Sequence, residues 1–243
     1  MNTSPIIIEE NNLSNAWCKV LEAILNSPEK EITSLLLSLN GFEETLLIRE
    51  RLDECLKDYK KGSILTVAET IFPASLYWLM DEKRDALYEQ YKYNLRWLHK
   101  IDKRNRRGLY FERLINYDGR VNQLENIIQS YLKDPSVRRS KLQASVFDAN
   151  HDHIETRYQG FPCLQHLTFY VTKNNGLVVN AFYAIQYIFE RGYGNWLGLI
   201  NLGKFMAKEM NVTLERFNCY VGVESLDKLS KKEARILLAH LKS

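Results

Sequence analysis

The sequence predicts an α+β fold, and three observations carry that reading. Two consecutive apolar runs, Leu167 to Val171 and Leu177 to Phe182, flank Asn174-Asn175-Gly176, and an Asn-Gly turn between such runs signals a hairpin because both residues tolerate positive φ. Apolar residues at three- and four-residue spacing, as in Trp17, Val20, Leu21, Ile24 and Leu25, predict amphipathic helices elsewhere. A run from Trp196 to Met210 that is apolar on most sides predicts a helix at the centre of the fold.

No linker-like stretch divides the 243 residues, so residues 1–243 read as one domain, with 1–11 a mobile terminus that lacks turn chemistry and periodicity. A net charge of +3 argues against nucleic acid as the partner, and the basic tract Lys103-Arg104-Asn105-Arg106-Arg107 reads as a solvated loop. No apolar run is long enough to span a bilayer, so no membrane association and a soluble, cytoplasmic protein are expected. Cys18, Cys55, Cys163 and Cys219 lie far apart with no C-x-x-C pair and read as reduced thiols.

Taken in order, Asn12 or Ser14 caps the first helix, and Glu31 to Asn40 is leucine-rich enough for a strand. Glu43 to Lys60 reads as an amphipathic helix with Leu47, Ile48, Leu52 and Leu56 inward. Ile64 to Met80 is apolar and aromatic, interrupted by Glu69 and Pro73; Glu69 is either a helix-start acid or a buried acid with a raised pKa. Asp81 to Arg107 is helical, with Tyr91, Tyr93, Trp97 and Leu98 packed. Asn122 to Lys133 is a helix and Lys141 to Phe147 a strand through Leu142, Ala144 and Val146. Asp148, His151, Asp152 and His153 form a short cluster of metal-ligand types, but a third anchored ligand is missing, so no metal is expected and a surface loop is. Phe217 to Val223 is a further strand, and Ser230-Lys231-Lys232-Glu233 is a capping box that starts the final helix.

Between these elements lies an ordered set of motifs. Pro162-Cys163 stands at the mouth of the hairpin, and Phe189 is followed six residues later by Asn195 at a helix start. Upstream come Tyr110, then Asp118-Gly119-Arg120-Val121-Asn122-Gln123-Leu124, then Lys133-Asp134-Pro135-Ser136-Val137-Arg138-Arg139. From Ile64 to Gly222 this order resembles the thymidylate synthase family. The resemblance implies a thymidylate synthase-like fold, with a large mixed twisted sheet flanked by helices and a C2 homodimer formed through the sheet.

It also implies a chemistry. Cys163 would be the nucleophile that adds to C6 of a pyrimidine nucleotide, and Glu69 the carboxylate that manages protons at the ring. Asn195 would read the O4 and N3 edge, or else cap its helix. Tyr110 would sit in the same site. Arg138 and Arg139 are either solvated arginines on a turn or, as in the family, phosphate ligands reaching the neighbouring subunit's site; arginines near the thiol would lower its pKa. The one-carbon donor would be a reduced folate, methylenetetrahydrofolate.

Several positions depart from the family. Leu164 follows the cysteine where the family has histidine, and Ala184, Ile185 and Tyr187 stand where the family binds phosphate and, with an aspartate, the folate ring. Ser225 and Asp227 replace its sugar-binding His-x-Tyr, and Ser27-Pro28-Glu29-Lys30-Glu31 carries no phosphate-gripping arginine. Losing charge-assisted contacts worth about 1.5 to 3 kcal/mol each would weaken an ordinary nucleoside monophosphate by orders of magnitude. The expected function is therefore methyl or hydroxymethyl transfer to C5 of an unusual pyrimidine nucleotide. The alternative is a catalytically inactive nucleotide-sensing or protein-partner subunit that retains the fold.

Overall fold

The computed structural model describes residues 4–155 and 162–242; Phe161 and the side chains of Lys103 and Arg104 lie outside the described residues. The strands are β1 (Ile6–Asn12), β2 (Glu31–Ile32), β3 (Leu35–Glu43), β4 (Gln143–Ser145), β5 (Leu164–Val171), β6 (Gly176–Tyr187) and β7 (Thr213–Ser225). They form one seven-stranded mixed sheet in the order β1-β3-β7-β6-β5-β4, with β2 paired to β7. The β1/β3 and β6/β7 pairs are parallel and the rest antiparallel.

The helices are α1 (Leu13–Asn26), α2 (Leu46–Asp58), α3 (Ile64–Glu69), α4 (Ala74–Leu79), α5 (Arg84–Ile101), α6 (Tyr110–Ile115), α7 (Gln123–Lys133), α8 (Ala149–Asp152), α9 (Tyr193–Glu209) and α10 (Lys231–Lys242). As its composition predicts, α9 is buried on most sides, from Tyr193 to Ala207. The Asn12 side chain caps α1, and Ser230 and Glu233 form the expected reciprocal box at α10. The core lies between the helices and one face of the sheet, on Leu35, Leu37, Leu167, Phe169, Val179, Ala181, Phe217 and Cys219. On the other face, Leu36, Phe182 and Tyr220 are more than a third exposed, at 39%, 42% and 38%. So the helices flank one side only.

Three expectations need correction. Residues 6–12 are not a structureless terminus but the edge strand β1, because the β-branched run Ile6-Ile7-Ile8 pairs in parallel with Leu35-Leu36-Leu37. Tyr93 and Trp97 do not pack: they lie on the solvent face of α5, at 74% and 64% exposure, while Tyr91 is buried. Leu47 likewise faces solvent on α2, leaving Leu52 and Leu56 as its buried stripe.

The hairpin turn also differs in detail. Asn175 alone takes positive φ, at 60°, and Gly176 already belongs to β6. There a Cβ would lie 2.7 Å from the Glu215 Cβ, so the glycine serves close approach.

A bend in the sheet positions the site. Buried residues in β6 alternate through Val179, Ala181 and Tyr183 and then step by three to Gln186. Those of β7 run through Phe217, Cys219 and Val221 and step by three to Glu224. In β5 the same step separates Leu164 from Leu167, where the ladder register shifts. An extra residue in a strand re-aims the side chains beyond it, so neighbouring strands turn polar residues toward the interior at one end. Gly222 permits the closeness: a Cβ there would stand 2.7 Å from the Ala184 carbonyl oxygen.

Candidate functional site

Cys163 precedes β5 at this bent end and is half-buried. The Ala184 N–H donates to its carbonyl at 3.1 Å, tying it to β6. Burial raises the thiol pKa, and the Arg191 guanidinium pulls it partly back. The expected arginines, Arg138 and Arg139, are not its neighbours; Arg191, from the single π-type turn Ile188–Gly192 that joins β6 to α9, is.

Tyr110 does join the cysteine. As the first residue of α6 it sets its hydroxyl against the backbone N–H groups of Cys163 and Leu164, and burial lifts its pKa above the usual phenol range. Asn195 is 5% exposed and occupies the third position of α9, whose cap is Gly192 with no side-chain bond. Capping therefore does not account for Asn195.

Glu69 is bound by a neighbouring serine. It ends α3, half-buried, and its Oε1 accepts the Ser75 N–H at 3.0 Å and the Ser75 hydroxyl at 2.8 Å. Pro73 breaks the helix there, leaving the first N–H groups of α4 without intrahelical partners, and the Glu69 carboxylate satisfies one of them. So the buried-acid setting does not hold, while the carboxylate does sit at a helix start, that of α4, where its charge suits the macrodipole.

Arg138 and Arg139 are exposed, and Arg139 stacks on the Tyr170 ring at 4.7 Å. Tyr170 lies seven residues along β5 from Cys163, roughly 23 Å at about 3.3 Å per residue, so the pair does not serve its own cysteine.

The sequence reading missed a buried polar group. Tyr183, Gln186 and Glu224 are 1%, 3% and 0% exposed, and the Tyr183 hydroxyl, both Gln186 amide atoms and both Glu224 carboxyl oxygens have no hydrogen-bond partner among the described residues. Among the described residues the Trp196 indole N–H meets just the Cys219 sulfur, a weak acceptor. Burial raises the Glu224 pKa well above the carboxylate range. No sequence signal finds this group, because strict alternation does not anticipate the step of three in buried positions.

Two clefts lie outside this cluster. A cavity of about 570 Å³ is lined by Arg106, Arg107, Arg113, Asp118, Asp148 and His151, among others. Asp118, Asp148 and His151 bring ligand-type atoms within 4.8 Å of one another, with Asp118 the third member missed in sequence. His151 Nδ1 lies 2.9 Å from Asp148, and Arg120 lies 3.7 Å from Asp118, so the trio is internally satisfied without an ion. The cleft beside Tyr187, Phe189 and Asp227 holds about 50 Å³, well below the roughly 300 Å³ at which ligand pockets begin.

No protein-family model matches this chain, and no curated protein is significantly similar to it in sequence. Any family reading rests on the ordered motifs and the geometry alone.

Proposed function

We propose that this chain is a divergent thymidylate synthase-like enzyme that modifies C5 of a pyrimidine nucleotide with Cys163 as nucleophile. The observation that carries the reading is the convergence of Cys163 and Tyr110 at one end of the sheet, with Asn195 buried on the first turn of the helix that follows the hairpin. In this chemistry the Cys163 sulfur bonds to C6 and the C5=C6 pair moves toward O4, which makes C5 nucleophilic toward a one-carbon electrophile. Loss of the C5 proton then restores the double bond as the C6–S bond breaks and the thiolate leaves. Asn195 suits the ring edge because an amide donates and accepts at once. No step is assigned to a folate, and the methyl or hydroxymethyl donor is left open.

One-carbon chemistry is not needed to test the nucleophile. Reversible addition of Cys163 to C6 exchanges the C5 proton with solvent, so a panel of uridine and cytidine nucleotides in D₂O should lose the H5 resonance with at least one member. Cys163→Ser should slow this by about a hundredfold or more. Ligand binding with no H5 exchange from any nucleotide would overturn the enzyme reading. The raised thiol pKa of Cys163 favours the second reading, a nucleotide-sensing or protein-partner subunit without turnover, and that outcome would select it.

The same proposal includes a C2 homodimer through the open sheet face. Its support is a side-chain ladder across that face, Ser38 to Asn218 at 2.8 Å, Asn218 to Asn180 at 2.9 Å and Asn180 to Thr168 at 3.0 Å, beside the Phe182 and Tyr220 rings, which meet at a tilt of 43°. An ordered face with central aromatics suits self-association. Arg139 on Tyr170 stands at the same face, where it can reach across to the partner's nucleotide phosphate. Light scattering should give a dimer at micromolar concentration, and Phe182→Glu with Tyr220→Glu should weaken it by about a hundredfold or more. A wild-type monomer would overturn both the dimer and the cross-subunit phosphate site.

A further inference from the structure

A net charge of +3 counts against nucleic acid when charge is spread evenly, and in this chain it is not. Residues 92–107 hold seven Lys and Arg against one acid, Asp102, a local charge of +6 that leaves the rest of the chain at −3. The structure sorts the helical part of this stretch into two stripes. On α5, Tyr93, Trp97 and Ile101 recur every four residues and share one face, at 74%, 64% and 78% exposure. Lys92, Arg96 and Lys100 keep the same spacing one residue earlier and form an exposed basic stripe beside them.

Neither stripe is committed within the fold. Arg84 and His99 of α5 pair with Glu125 and Glu112, whereas Lys92, Arg96 and Lys100 meet no carboxylate among the described residues. Lys100 lies instead over the Trp97 ring, 5.1 Å from its centre. The aromatic stripe does not pack α5 either, since the buried side of that helix is Leu87, Tyr88 and Tyr91. Gln90 and Asn94, bonded to each other at 3.0 Å, run along its other edge, and exposed Glu89 bounds the surface one turn before Tyr93. The apolar strip is therefore one side chain wide with polar groups on both sides. A helix that lies in a bilayer surface needs a broad apolar face, which this is not. Flat rings beside a row of cations suit a strand of stacked bases and phosphates. Past the end of α5, exposed Arg106 and Arg107 extend the positive surface.

We propose that this face of α5, with Arg106 and Arg107, binds single-stranded nucleic acid. Bases stack on the Tyr93 and Trp97 rings while Lys92, Arg96 and Lys100 neutralise the phosphates beside them. A duplex is the poorer ligand because its bases are already stacked on one another. Rings and cations read no base edge, so the surface accepts any sequence. Arg107 lies three residues before Tyr110, hence within roughly 11 Å of it along the backbone. The surface thus adjoins the helix that meets Cys163, and its binding does not depend on the chemistry proposed there.

The test is fluorescence anisotropy of labelled DNA and RNA single strands of about 20 nucleotides, titrated with the full chain between about 50 and 200 mM salt. The wild type should bind both strands, more tightly than the matching duplex, and weaken as salt rises. Tyr93→Ala with Trp97→Ala should weaken binding by about tenfold or more. Arg96→Ala with Lys100→Ala should lower the slope of log affinity against log salt by about 1.4, two phosphates at about 0.7 each. All four side chains are exposed, and circular dichroism checks that the variants fold. Should the aromatic pair fail to fold, the charge pair decides alone. Absence of binding at about 50 mM salt, or binding that the folded variants leave unchanged, overturns the proposal. Polyglutamate that displaces the strand at equal charge, or phosphatidylserine vesicles that bind while the strand does not, overturns it in favour of an acidic protein or a membrane surface. The assay reads no chemistry, so absent H5 exchange counts against the enzyme reading and leaves this result interpretable.

Discussion

The double substitution Gly194→Ala and Gly198→Ala is expected to lower the unfolding midpoint by roughly 10 °C. A Cβ at Gly194 would stand 2.6 Å from the Val67 Cβ and 2.8 Å from the Ile64 carbonyl oxygen. At Gly198 it would stand 2.7 Å from the Ala68 carbonyl oxygen and 3.0 Å from the Ile71 Cβ. These are backbone and branch-point atoms that cannot swing aside, so α9 must lift off α3. Overpacking of this kind costs about 1 to 3 kcal/mol per site, at the upper end where backbone is struck. Alanine returns about 1 kcal/mol of helix propensity at each position. The net loss of about 2 to 4 kcal/mol corresponds to the stated midpoint shift in a domain of this size. Gly203→Ala is the control, since its Cβ would meet only the flexible Leu214 and Val179 methyl groups at 3.0 Å or more. Asn195 lies between the two glycines, so displacement of α9 should also weaken the nucleotide binding proposed above. A double variant that melts with the wild type would refute the packing argument.

The same residues explain what the sequence revealed and what it hid. Period-two runs of apolar residues located β5, β6 and β7, and helical spacing located α1, α7 and α9, because burial imposes those periods directly. The edge strand β1 was not legible: Ile6 to Asn12 has no partner nearby in sequence and becomes a strand only through β3. Of the proposed site, Cys163, Tyr110 and Asn195 were singled out by motif order. Glu69 could not be placed, because its fate depends on which N–H groups the break at Pro73 leaves open. Gln186 and Glu224 were invisible for a different reason. Strict alternation assigns Ile185 and Val223 to the interior, and only the extra residue in each strand reverses that assignment.

Glu224 also sets an expectation for how stability depends on pH. Its folded pKa is raised well above the 4.5 of a free glutamate, and burial is the cause. Between those two values the unfolded chain has released the proton while the folded chain still holds it, so the folded state binds more protons. The stability contribution is therefore complete below about pH 4.5 and is lost as pH rises, by up to about 1.4 kcal/mol per pH unit until the folded pKa is reached. His166 has the opposite sign: burial lowers its pKa below 6.5, so its contribution is present above that value and falls away as pH drops. The raised thiols of Cys18, Cys55, Cys163 and Cys219 start from an unfolded value of 9.0 and remain protonated in both states at lower pH. The window from about pH 7 to 8.5 thus isolates Glu224. Urea unfolding should show the wild type losing stability across that window while Glu224→Gln, which mimics the neutral acid in shape and cannot ionise, stays nearly level. The two proteins should be close at pH 5, and each pH unit above that through which folded Glu224 keeps its proton should widen the gap by up to about 1.4 kcal/mol. Parallel curves would mean that Glu224 is ionised in the folded protein, a state that its buried and cation-free surroundings do not support.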